Sequence, residues 1–182
     1  MKSIRIHGRG GQGAVLASRI LAYAYFLEGK FSQSFPTYGA ERRGAPVASF
    51  VKVDDSFINE RCPVKTADMV LVLSDSIIKL VDIVEGTGLE SIILINSGKK
   101  SDTFNLETDA KILTFDIAKI AVDNGLGTPS FPLVNIPALG IAGKIDGIKL
   151  DSLIKATEKF VPYNVEDSIR ALKAAYRSII NE

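Results

Sequence analysis

The chain has 182 residues and carries 22 Lys and Arg against 21 Asp and Glu, a formal net charge of +1. That length suffices for one α/β domain with its own core, and the charge balance argues against bulk attraction to nucleic acid or to an anionic membrane. A lone cysteine, Cys62, rules out an internal disulfide, and no apolar run reaches the ~20 residues that span a bilayer.

The N-terminus enters a strand directly, without a basic-then-apolar leader, so a cytoplasmic location is expected. Ile4 and Ile6 alternate along that strand, which feeds into Gly8-Arg9-Gly10-Gly11-Gln12-Gly13. A helical pattern follows at once from Ala14 to Glu28, with Gly29 placed to end it. Strand, glycine turn and helix together aim a helix N-terminus, with its unpaired N–H groups, at an anion. Gly8, Gly10 and Gly13 fit the G-x-G-x-x-G spacing of dinucleotide-binding folds, although a turn that merely packs strand on helix has the same spacing. A nicotinamide-binding domain would also place an acid about 20 residues further on, to hold ribose. Phe31-Ser32-Gln33-Ser34-Phe35 occupies that place, so the residues predict a phosphate ligand and no NAD.

Residues 31–35 alternate as a second strand. The next stretch runs from Pro36 through Thr37-Tyr38-Gly39-Ala40-Glu41-Arg42-Arg43-Gly44-Ala45 to Pro46 and reads as a surface loop. Its charges either face water or, at Arg42 and Arg43, grip an oxyanion through their guanidinium forks. Residues 47–53 read as a β-branched strand, Asp54-Asp55 as a turn, and Phe57-Ile58 as a short return strand of a hairpin. The apolar run at 68–73 is a strand buried on both faces, followed by a helix capped by Ser74 or Asp75 and running through Val84.

A central strand at 91–96, a polar connection at 98–110, a strand at 111–115 and a helix at 117–122 continue the alternation. Residues 125–129 read as a flexible loop leading to Asn135-Ile136-Pro137-Ala138-Leu139-Gly140. Asn135 either caps a helix running through Lys144 or offers its amide to a ligand. Amphipathic helices at 150–160 and 165–180 complete the chain. The whole predicts a single domain over residues 1–182: a Rossmann-like, doubly wound, mostly parallel sheet flanked by helices, with a β-hairpin-like insertion and C-terminal helices. A ligand then belongs at the carboxyl ends of the strands, beside the glycine turn.

Chemistry is sparse. His7 is the one histidine and lacks an evident nucleophile or orienting partner, Cys62 follows Arg61 without a second thiol nearby, and no Walker lysine follows the glycine turn. No catalytic residue and no metal ligand is expected in the chain itself. One cysteine cannot supply the thiolates of an iron–sulfur cluster.

Taken together, Gly8-Arg9-Gly10-Gly11-Gln12-Gly13 and the run from Tyr38 to Val47 closely resemble the gamma subunit of 2-oxoacid:ferredoxin oxidoreductases of the pyruvate or 2-ketoisovalerate type. The resemblance extends through Thr66-Ala67-Asp68, Asn135-Ile136-Pro137-Ala138-Leu139-Gly140 and the helices around Asn164. It implies a subunit of an enzyme that oxidatively decarboxylates a 2-oxoacid with coenzyme A, giving acyl-CoA, carbon dioxide and reduced ferredoxin or flavodoxin. Thiamine diphosphate and [4Fe-4S] clusters would lie in partner subunits of alpha, beta and delta type, and this chain would bind coenzyme A. The matching motifs place the phosphate contacts at Gly8, Gly10, Gly11 and Gly13, countercharge at Arg42 and Arg43, and polar contacts at Gln12 and Asn135. Homodimerisation and the identity of the 2-oxoacid stay open, as does a second reading: a free-standing phosphate- or nucleotide-binding regulatory module.

Overall fold

The computed structural model describes residues 1–37, 44–59 and 64–179. Its centre is a six-stranded sheet built from the apolar, β-branched runs: β1 (Lys2–Arg9), β2 (Phe31–Pro36), β3 (Pro46–Asp54), β4 (Met69–Val72), β5 (Ile92–Asn96) and β6 (Lys111–Phe115). The strand order is β2-β3-β1-β4-β5-β6. Strands β1, β4, β5 and β6 run parallel, while β3 is antiparallel to both β1 and β2. From β1 the chain moves outward to β2 and β3 on one side, then crosses to β4, β5 and β6 on the other. The crevice between β1 and β4 is therefore the switch point of this sheet.

Side-chain alternation divides the sheet into two faces. One carries Ile4, Ile6, Val51, Val53, Leu71 and Leu94 and packs against five helices. These are α1 (Ala14–Leu27), α2 (Ile117–Asp123), α3 (Asn135–Ile145), α4 (Leu150–Phe160) and α5 (Val165–Ser178). Helix α3 is buried along its length from Asn135 to Gly143, which is why its sequence is apolar on every side. A Cβ at Gly140 would lie 2.5 Å from the Leu172 carbonyl oxygen, so glycine there sets how near α3 and α5 approach. Helix α1 ends as its sequence indicates, with Gly29 at φ +82° and the Lys30 N–H returning to the Tyr25 carbonyl.

The opposite face departs from expectation. The helix predicted through Val84 is only a single 3₁₀ turn, Asp75–Ile77, followed by turns. Two features oppose a helix there. The Asp82 carboxylate accepts from the N–H groups of Val84 and Glu85, and the Arg5 guanidinium on β1 donates to the carbonyls of Ile83 and Glu85. Ile77 and Ile83 are still buried, against Val70, Val72 and Ile93.

Phe57-Ile58 is likewise no strand: the Ile58 carbonyl accepts from the Gln33 side-chain amide, and the Phe57 ring packs edge-on against Phe31. The antiparallel hairpin of this region is instead β2 with β3. Residues 125–129, read as a loop, contribute to a small second sheet of β7 (Gly127–Thr128) and β8 (Phe131–Pro132). Among the described residues no helix is long and apolar enough to cross a membrane.

Candidate functional site

The glycine turn leaves β1 at the switch point and is held from three directions. Gly10 N–H donates to the Ala45 carbonyl at 2.8 Å and Gly44 N–H donates to the Gly10 carbonyl at 3.1 Å, which prolongs the β1–β3 ladder past its last paired residues. Gln12 closes the turn on itself, its N–H donating to the Arg9 carbonyl and its side-chain Oε1 accepting from the Arg9 N–H at 2.7 Å. Arg9 spans the crevice: its guanidinium donates to the Gly44 carbonyl on one side and to the Ser76 hydroxyl on the other.

Helix α1 then starts at Ala14 with Gly13 as its N-cap, at φ +77°. No side chain caps this end and no acid lies in its first turn. Its first N–H groups and the positive end of its dipole are therefore left for a ligand or water. A Cβ at Gly13 would sit 2.5 Å from Nδ2 of Asn135, so only glycine lets the α1 and α3 N-termini meet.

Asn135 itself resolves an ambiguity of the sequence. It is the first residue of α3, not its cap; Val134 is the N-cap, and no side chain caps that end. The Asn135 side chain is nine-tenths buried against Gly13 and makes no hydrogen bond among the described residues. Both helix N-termini border a cleft of about 290 Å³. Gly11, Gln12, Gly13 and Asn135 line its polar end, and Leu16, Leu126, Leu133, Ile136, Val161 and Tyr163 its apolar wall. The site thus offers an anion-binding floor and an apolar wall, which suits an amphiphilic phosphorylated ligand.

The predicted residues divide accordingly. Gly11, Gln12, Gly13 and Asn135 come together in the cleft. Gly8 lies behind it at the end of β1, where a Cβ would press on Leu73 at 3.3 Å, and Gly10 anchors the turn to Ala45. Arg42 and Arg43 lie outside the described residues, as does Cys62. The apolar wall escaped sequence reasoning because it is gathered from segments more than 100 residues apart. Arg9 was visible inside the motif, but its bridging role depends on Ser76, and nothing in the sequence joins those two.

His7 is buried on the face opposite the helices, and its Nε2 has no partner among the described residues. Burial, reinforced by the Arg5 charge, lowers its pKa to about 4, so the ring is neutral at physiological pH. Among the described residues no group of three or more His, Cys, Asp or Glu side chains is placed to hold a metal ion.

The sequence and the fold both have known relatives. The family described as Pyruvate ferredoxin/flavodoxin oxidoreductase matches residues 3–178. The chain is 41% identical over 181 residues to pyruvate synthase subunit PorC of Methanothermobacter marburgensis, covering 98% of each. Among solved structures it is similar to pyruvate oxidoreductase subunit PORC of Thermotoga maritima, with a TM-score of 0.78, 34% identity, and 97% and 95% of the two chains covered. A 2-oxoglutarate:ferredoxin oxidoreductase from Magnetococcus marinus, solved with 2-oxoglutarate, coenzyme A and succinyl-CoA, shares the fold at a TM-score of 0.75 and 17% identity. The match covers 98% of this chain and 31% of that one.

Proposed function

The chain belongs to the pyruvate ferredoxin/flavodoxin oxidoreductase family and is of its gamma-subunit type; from that premise we propose that it supplies the coenzyme A site of a multi-subunit 2-oxoacid:ferredoxin oxidoreductase. The observation that carries this reading is the uncapped N-terminus of α1 facing a cleft beside the amide of Asn135, which makes no hydrogen bond among the described residues. Coenzyme A has the matching chemistry: phosphate groups for the helix end and a long arm whose gem-dimethyl and methylene groups suit the wall of leucine, isoleucine and tyrosine side chains.

In this assignment the backbone N–H groups at Gly13 and the first turn of α1 bind phosphate oxygens. Asn135 donates its amide, and Gln12, whose Oε1 is committed to Arg9, offers its Nε2. Arg42 and Arg43 supply countercharge from the loop that Gly44 ties to the turn. The thiol of the bound cofactor is thereby delivered toward a partner subunit, where thiamine diphosphate supplies the decarboxylation chemistry. Ferredoxin or flavodoxin receives the electrons through clusters held by other subunits, since this chain has one cysteine.

The test is steady-state kinetics of the assembled enzyme. R42A/R43A should raise KM for coenzyme A by about 10- to 100-fold, as expected when charge-assisted phosphate contacts are lost. Asn135→Ala should raise it about 5-fold, with the KM for the 2-oxoacid unchanged in both. Unchanged coenzyme A kinetics in a normally assembled R42A/R43A enzyme would move the site elsewhere. Recovery of the chain alone, from extracts that retain the oxidoreductase activity, would favour a free-standing module.

A further inference from the structure

Among the described residues β2 is an edge strand, bonded on one side to β3 and followed by no strand on the other. The Thr37 N–H donates to the Ala48 carbonyl, which fixes the phase of the ladder. With Phe31 opposite Asp54 and Phe35 opposite Phe50, residues 31, 33, 35 and 37 bond inward to β3. Ser32 and Ser34 therefore turn their N–H and C=O groups to the open edge. Pro36, in the same phase, has no N–H to offer there.

Along this edge run two clefts of about 460 and 440 Å³, which share Arg19 and Ser34 and so form one continuous groove between β2 and the outer side of α1. One end is aromatic. Tyr23 stacks on Phe26 and meets Phe160 edge-on, and Phe26 is 59% exposed. The groove is also cationic. Lys159 places its Nζ 3.8 Å from the Tyr23 ring centroid, and Arg19 makes no ion pair or hydrogen bond among the described residues. Among the described residues no carboxylate lines either cleft. Nearby lysines outside the groove are paired, Lys30 with Asp55, Lys149 with Glu28 and Lys155 with Asp151.

We propose that this groove receives an extended segment of another subunit of the complex, added to the sheet beside β2 through the Ser32 and Ser34 backbone. The segment carries a carboxylate for Arg19 and Lys159 and an apolar side chain for the Tyr23–Phe26–Phe160 end. Backbone pairing at an open edge supplies affinity, and the side-chain pockets supply selectivity. A second copy of this chain fits poorly, because β2 pairing with β2 would bring two cationic grooves to one seam. The inference rests on the chain's place in a multi-subunit enzyme, and its test separates the two.

The experiment is hydrogen exchange on the assembled, anaerobically purified oxidoreductase, together with a photo-crosslinking amino acid at position 19. The Ser32 and Ser34 amides should exchange at least about 100-fold more slowly than in an unstructured peptide. The crosslink should fall on a segment of a different subunit that contains Asp or Glu. Ser34→Pro removes an outward N–H without touching the β2–β3 ladder, and Arg19→Glu reverses the charge without touching the core. Each should lower incorporation into the complex at least about 10-fold at limiting concentration, while Ser34→Ala should not. An assembled enzyme with unprotected Ser32 and Ser34 amides, or a crosslink to a second copy of β2, overturns the docking proposal and leaves the coenzyme A assignment standing. Absence of any complex overturns both.

Discussion

The two faces of the sheet are covered by different means. Beneath the helices, Ile4, Ile6, Leu71 and Leu94 meet α1 and α3, and the buried Ser49 hydroxyl bonds the Ser18 hydroxyl of α1. Among the described residues no long polar side chain is called on to serve a helix backbone there, because a helix satisfies its own. On the other side the cover is 3₁₀ turns and loops, whose carbonyls need outside donors. The sheet provides them: Arg5 donates to Ile83 and Glu85, and Gln33 to Ile58. Buried Arg5, His7 and Lys52 all lie on this face. A long polar side chain in the middle of a strand thus marks, in this sheet, where the covering segment lacks a helix.

Variants that act on one face alone sharpen this contrast. The largest effect is expected on the helical face, where Gly140→Val would force α3 off the α5 backbone. A loss of about 4 kcal/mol is expected by denaturant unfolding, since backbone on both sides cannot give way. On the loop face the expected signature is pH dependence. His7 has a folded pKa of about 4 against 6.5 unfolded, so below pH 6.5 the unfolded chain takes up the proton first. Stability should fall from pH 6.5 to about pH 4, by about 3 kcal/mol, and should lose no more from this group below that. His7→Gln should remove that part of the slope; identical pH profiles for the two proteins would place the neutral histidine elsewhere. Smaller still, Arg5→Met should cost about 2 kcal/mol by stranding the Ile83 and Glu85 carbonyls. Hydrogen exchange should show the loss as opening of residues 78–86, with the helical face unchanged.

Much of the sheet was legible because strand patterning is local. The runs at 47–53, 68–73 and 91–96 are β-branched and apolar, and they occupy β3, β4 and β5. Gly29 as a helix terminator is equally local. The helix expected through Val84 failed because its backbone is claimed by a residue about 80 positions earlier, and local propensity does not register Arg5. Asn135 shows the same limit at the site. Its type fits a cap, yet the side chain faces a glycine 122 positions away, a fact that depends on how closely α1 and α3 pack. The glycine turn and the helix behind it were legible in the sequence; the apolar wall of the cleft emerged only when α1, α3 and the α4–α5 connection were assembled around it.

The most direct test of the central claim is hydrogen exchange of the assembled enzyme with and without coenzyme A. The account predicts slowed exchange at the amides of residues 11–16 and at Asn135, with no change at β6 on the far edge of the sheet. Coenzyme A that saturates the enzyme while leaving residues 11–16 and Asn135 unaltered would contradict it.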